Sequence, residues 1–130
     1  ASGVTVSYEE YRRTVLTACR YFATELLDLS GAHYENGTGN SFTILFFEQG
    51  EPRVVWDGGE LAACRGQSVL VPAEVVAWSV EGKSRFLKFY VPELVNDIIK
   101  PLVKAGISDG DIRLLGGDPD TGDVASAFAR

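Results

Sequence analysis

Histidine is nearly missing from this sequence: His33 stands alone among 130 residues. A protein-bound metal needs three or four convergent donors, and one imidazole cannot supply them. A Ser-His-Asp arrangement and a Gly-rich phosphate loop are missing as well. Cysteine is scarce: Cys19 and Cys64 each lie in an apolar stretch, far from the spacing of a metal knuckle or redox pair. Both read as reduced core thiols. Positive charge is in deficit, with 12 Lys and Arg against 18 Asp and Glu and a formal charge of -6. That balance leaves no footprint for phosphate backbones and argues against nucleic acid and anionic membranes as partners. No apolar run approaches the ~20 residues that cross a bilayer, and no stretch has the form of a secretion leader, so a cytoplasmic location is expected. Asn36-Gly37-Thr38 fits the glycosylation acceptor pattern, but in that setting it reads as a plain loop. Methionine is absent altogether, which leaves room for a portion of chain before Ala1.

What is present suits a folded domain. A hydrophobic fraction of 45% with 23% charged residues is ordinary for a globular protein, and 130 residues can bury a core without disulfides or metals. Ser7-Tyr8-Glu9-Glu10 has capping-box spacing, with Val6 and Tyr11 placed as a staple, and predicts a helical turn near residues 8–13. Residues 15–29 favour one or two strands, and the Gly- and Asn-rich stretch 33–41 reads as a loop. Phe42 to Phe47 is apolar on both faces of a strand, which predicts cover on both sides. Residues 52–56 form a further strand, and Asp57-Gly58-Gly59 supplies a tight hairpin. Short strands follow at 61–64, 68–71, 75–80 and 84–91, a regular spacing that predicts a barrel or sandwich. After Pro92, Leu94, Val95, Ile98, Ile99, Leu102 and Val103 recur at helical spacing over 93–105, with Pro101 expected to kink or divide the helix and Gly106 to end it. Ser108 is placed to cap another short helix, and Thr121 or Asp123 a last one. Asp118 to Asp123 departs from the order of a calcium loop and reads as a turn.

The segment from Gly66 to Trp78 is the most informative: a Gly, five residues, then Pro72, between two strands. It resembles the second half of the cupin signature, with Glu74, Ala77 and Glu81 where the family carries Gly, a metal-ligating His and Asn. Setting Gly50 as the closing Gly of the first half puts Thr43 at the ligating Glu and residues 36–39 at the His pair. Apolar packing is then expected to fill the barrel. Cys19-Arg20-Tyr21-Phe22, Phe42 to Leu45, Gly66 to Ala73, Val80-Glu81-Gly82 and Leu87-Lys88, taken in order, are similar to the C-terminal cupin domain of type I mannose-6-phosphate isomerases. The likeness implies a mainly β fold, a cupin-type double-stranded β-helix or jelly-roll barrel, with a lead-in over 1–14, the barrel over 15–92 and a helical tail over 93–130 packed on it.

In that family zinc is held by another domain, which interconverts mannose 6-phosphate and fructose 6-phosphate. The resemblance therefore implies a metal-free accessory domain with no catalytic residue and no cofactor of its own, inactive in isolation. The alternatives are a free-standing sugar-binding or sensor cupin and a structural or dimerisation module. Candidate ligand contacts are few. His33 could join Tyr34 and Glu35 as an acid/base group, though its loop setting argues for a surface residue. Trp56 and Trp78 could stack on a sugar or simply pack the core. Arg85 and Lys88, with Arg53, Arg65 and Lys83, would contact a sugar phosphate if the barrel mouth gathered them. The apolar excess of strand 42–47 and helix 93–105 suits an interdomain contact or a homodimer.

Overall fold

The computed structural model describes residues 3–36, 41–117, 120 and 122–128. Two antiparallel sheets face each other. The larger has the order β1-β2-β3-β10-β5-β8 and the smaller β4-β9-β6-β7. These strands are β1 (Val4–Ser7), β2 (Tyr11–Ala18), β3 (Ala23–Leu29), β4 (Ala32–Asn36), β5 (Thr43–Gly50), β6 (Arg53–Trp56), β7 (Gly59–Ala62), β8 (Ser68–Val71), β9 (Ala77–Glu81) and β10 (Ser84–Tyr90). Among the described residues no ladder joins one sheet to the other, so the arrangement is a jelly roll of two layers rather than a continuously bonded barrel.

The predicted helical turn at 8–13 does not form. Val4 pairs with Val15 and Val6 with Arg13, making β1 and β2 a hairpin, and the Glu10 carbonyl accepts from Ser30 and Gly31. A one-turn helix is marginal on its own, whereas the hairpin buries Val4 and Val6 against the tail. Residues 33–36, expected in a loop, form β4 instead, with His33 opposite Val80 and Glu35 opposite Trp78. Glycosylation-motif positions 37 and 38 lie outside the described residues, as do calcium-loop positions 118, 119 and 121. Cys64 is exposed and Cys19 half-buried, so neither is a core thiol, though both are free. Gly50 needs its missing side chain: φ is +91°, and a Cβ would sit 2.4 Å from the Lys83 carbonyl.

The tail is helical as expected, and near Pro101 the helix changes its hydrogen-bond pattern without a break. A π-helical segment, Leu94–Ile99, runs into α1 (Lys100–Lys104); α2 (Asp109–Leu114) is capped by Ser108, and α3 (Asp123–Phe128) closes the chain. Pro101 has no N–H to give the Asp97 carbonyl four residues back, and the Lys100 N–H reaches Val95 in the wider pattern. The free Asp97 carbonyl turns to the sheet.

Two apolar cores result. One lies between the sheets around Leu27, Leu45, Phe47, Val54, Trp78, Val80 and Phe86. The other joins Val4, Val6, Val15, Ala18 and Ala23 to Leu94, Ile98, Leu102, Ile112 and Val124 of the tail. Strand alternation sets the layer between them. Inward positions read Tyr11, Arg13, Val15 on β2; Ala23, Glu25, Leu27 on β3; and Phe86, Lys88, Tyr90 on β10. A charged row thus crosses three neighbouring strands between one core and the other.

Candidate functional site

Glu25 is fully buried, directly opposite Lys88 across the β3–β10 pair. From β2, Arg13 lays a two-pronged fork on it, Nε to Oε1 at 2.7 Å and Nη2 to Oε2 at 2.8 Å. The same Nη2 donates to the Asp97 carbonyl at 2.8 Å, tying the tail to the sheet. The Tyr90 hydroxyl donates to Glu25 Oε2. Lys88 Nζ donates to Glu35 Oε1, lies 3.7 Å from Glu25 Oε1, and sits over the Tyr90 ring. Across the gap on β4, His33 Nε2 lies 2.7 Å from Glu35 Oε1; an ionised carboxylate only accepts, so the imidazole donates. His33 Nδ1 is buried with no hydrogen-bond partner among the described residues, and the ring meets Tyr11 edge-on at 4.5 Å.

This network fixes its own charges. Burial opposes ionisation of Glu35, but the Lys88 charge and the His33 hydrogen bond prevail and hold it down at about 2. Burial likewise opposes the charge on Glu25, and Lys88 with the Arg13 fork lowers its pKa nonetheless. Lys88 and Arg13 are raised in return, against their own burial. Tyr90 is raised by burial and by the neighbouring Glu25 charge, so it stays a neutral donor.

Beside the network opens a chamber of about 350 Å³. Its walls include Arg13, Glu25, His33, Glu35, Thr43, Trp78, Lys88 and Tyr90, with Tyr8 and Tyr11 at one side and Asn96, Asp97 and Pro101 of the tail above. Tyr8 is exposed and stacks on Tyr11 at 4.7 Å.

Of the residues singled out from sequence, His33, Trp78 and Lys88 meet at this chamber. His33 is a buried strand residue, 6% exposed, and not a surface loop group. Trp56 pairs with Trp78 across β6–β9 but packs on the inter-sheet core. Arg85 faces away from Lys88 on β10, 3.6 Å from Glu48, and Arg53 is engaged with Glu60 and Glu81. The cations are therefore not gathered at one mouth. Arg13, Glu25 and Tyr90 escaped sequence reasoning, although each shares strand parity with core neighbours, and Glu35 was named beside His33 but not with its partner Lys88.

Among the described residues the signature positions do not suit a zinc ion, and positions 37–39 lie outside them. Thr43 lines the chamber, Ala77 is exposed while Trp78 takes the inward place, and the ammonium of Lys88 stands where a cation would have to approach. The expectation of an apolar filling at that end is also corrected. Charged groups can remain there because each is paired.

Two facing antiparallel sheets around an inward-lined chamber form the jelly-roll architecture that cupins share. The sequence profile described as "Mannose-6-phosphate isomerase, cupin domain" matches residues 12–91, and the chain belongs to that family. Mannose 6-phosphate isomerase from Bacillus subtilis superposes with a TM-score of 0.59 at 16% identity, over 68% of this chain and 28% of that one. A Streptomyces nucleoside dehydratase gives 0.61 at 12% identity, over 70% and 77% of the two chains. KdgF from a Halomonas species gives 0.58 at 12%, over 72% and 94%. At these identities the likeness shows the fold alone. The chain spans 28% of the length of the Bacillus isomerase. No curated protein sequence matches it.

Proposed function

We propose that the chain is the metal-free accessory domain of a mannose-6-phosphate isomerase-type protein, in which interconversion of mannose 6-phosphate and fructose 6-phosphate is carried by residues outside this chain. The observation that carries this reading is the locked charge network. Glu25 and Glu35 are held ionised, Arg13 and Lys88 protonated and Tyr90 neutral. General acid/base catalysis needs a group poised near the working pH, and these are driven away from it. In a zinc-supplemented isomerase assay the 130-residue chain is expected to give no turnover, and elemental analysis no stoichiometric zinc. Measurable turnover sinks the reading.

The outer face of the larger sheet supports an accessory role. Leu26, Ile44, Phe46, Leu87 and Phe89 are only half-buried there, and Leu70 is 59% exposed. Such a continuous apolar face suits contact with another domain or a second copy.

A second reading is favoured by the chamber: a sugar-binding cupin. Its volume of about 350 Å³ is at the small end of the ~300–1,000 Å³ range of small-molecule sites. Saturable thermal stabilisation by sugars supports binding, since a ligand of the native state raises stability by mass action.

A further inference from the structure

We infer that the chamber is a site for a neutral polyhydroxylated ligand of about monosaccharide size, and that it disfavours phosphorylated sugars. The inference rests on the second reading above and deepens it by naming the ligand class. Recognition of a phosphate group needs cationic donors with valence to spare. Here the two cations that line the chamber, Arg13 and Lys88, are each already matched by carboxylates of the protein. Arg13 lays Nε and Nη2 on Glu25, and Nη2 also donates to the Asp97 carbonyl. Lys88 is held by Glu35 on one side and Glu25 on the other, with the Tyr90 ring against it. Three carboxylates, Glu25, Glu35 and Asp97, line the same space as these two cations. A phosphate dianion entering would displace a built ion pair and face the carboxylate released. The chain's net charge of -6 adds long-range repulsion.

A neutral polyol meets the opposite circumstances. Hydroxyl groups donate to carboxylates and accept from amides without altering the charge balance. Bonds from described residues to Glu35 converge on Oε1, and none reaches Oε2. Asn96 and Asp97 of the tail also line the chamber, while Tyr8, Tyr11 and Trp78 offer ring faces and edges to the C–H surface of a sugar. The buried Nδ1 of His33, without a hydrogen-bond partner among the described residues, marks a polar stretch of the wall.

The test is calorimetric titration of the full chain with D-mannose, D-fructose, D-glucose and D-mannitol, against mannose 6-phosphate and inorganic phosphate. Saturable binding of at least one neutral compound is expected, with both phosphates at least about tenfold weaker. Tighter binding of mannose 6-phosphate overturns the ligand class and leaves the binding chamber standing; silence from every compound overturns both. Glu35→Gln releases Lys88 and is expected to gain about tenfold in affinity for inorganic phosphate; no gain in a folded variant contradicts the charge argument. Tyr8→Ala, at an exposed position, keeps the test open should Glu35→Gln not fold. It is expected to weaken the neutral ligand several-fold, and unchanged affinity places that ligand elsewhere.

Discussion

Glu25 holds the middle of the buried charge layer, receiving bonds from Arg13 and Tyr90 and facing Lys88. Replacing it with Gln leaves two desolvated cations short of a counter-charge, and losing one partner of a buried pair costs about 3–5 kcal/mol. Urea unfolding of Glu25→Gln at neutral pH is expected to show a loss in that range. The same layer sets the pH response. Glu25 and Glu35 titrate below their ordinary 4.5 when folded, so the unfolded chain binds more protons and stability falls as pH drops from about 4.5 toward 2. Lys88 and Tyr90 are raised, so the stability they contribute is complete below about 10 and declines as pH rises further. Urea midpoints followed across pH should trace a plateau with both limbs, and an acid limb unaltered by Glu35→Gln would contradict its share.

Most strands, β1 and β4 excepted, were readable because Val, Ile, Phe and Thr cluster between Gly, Pro and Asn turns, and their spacing carries the two-layer fold. The tail was readable too, since its apolar residues recur at helical intervals and Pro101 punctuates them. The charged layer was not. Arg13, Glu25, Glu35 and Lys88 lie far apart in sequence and converge only through the β2-β3-β10 order and the facing of β4. Parity would have put Glu25 beside Ala23 and Leu27 on the inner face, but only after the strand limits were known. Arg13 was hidden by a capping-box pattern at residues 7–10 that the chain satisfies as a hairpin instead. The tail's attachment can be measured element by element. Ile98 and Leu102 are fully buried, so Ile98→Ala should cost about 2–5 kcal/mol by chemical denaturation. Val103, 48% exposed on α1, should change stability by no more than about 0.5 kcal/mol as Val103→Ala.

For the whole molecule, the apolar outer face of the larger sheet is the feature that one chain leaves uncovered. Ile44 pairs with Leu70 and with Phe89, while Phe46 pairs with Leu87, which pairs in turn with Leu26. These contacts make a band across four strands rather than scattered single residues. If another domain covers that band in the parent protein, the isolated chain should self-associate with rising concentration in sedimentation velocity. Leu70→Lys, at a position 59% exposed, should suppress the association while leaving the unfolding midpoint close to that of the original chain. A monomer at all concentrations would argue against this face as a contact surface.

Pro101 has a reach beyond its own turn. By lacking one hydrogen it frees the Asp97 carbonyl, and Arg13 of the sheet claims that oxygen at 2.8 Å. A roof resting only on grease could settle at several rotations over the same apolar floor. Keyed to one oxygen by a planar guanidinium that is itself clamped on Glu25, it has a single seating, and the chamber beneath inherits a fixed ceiling height.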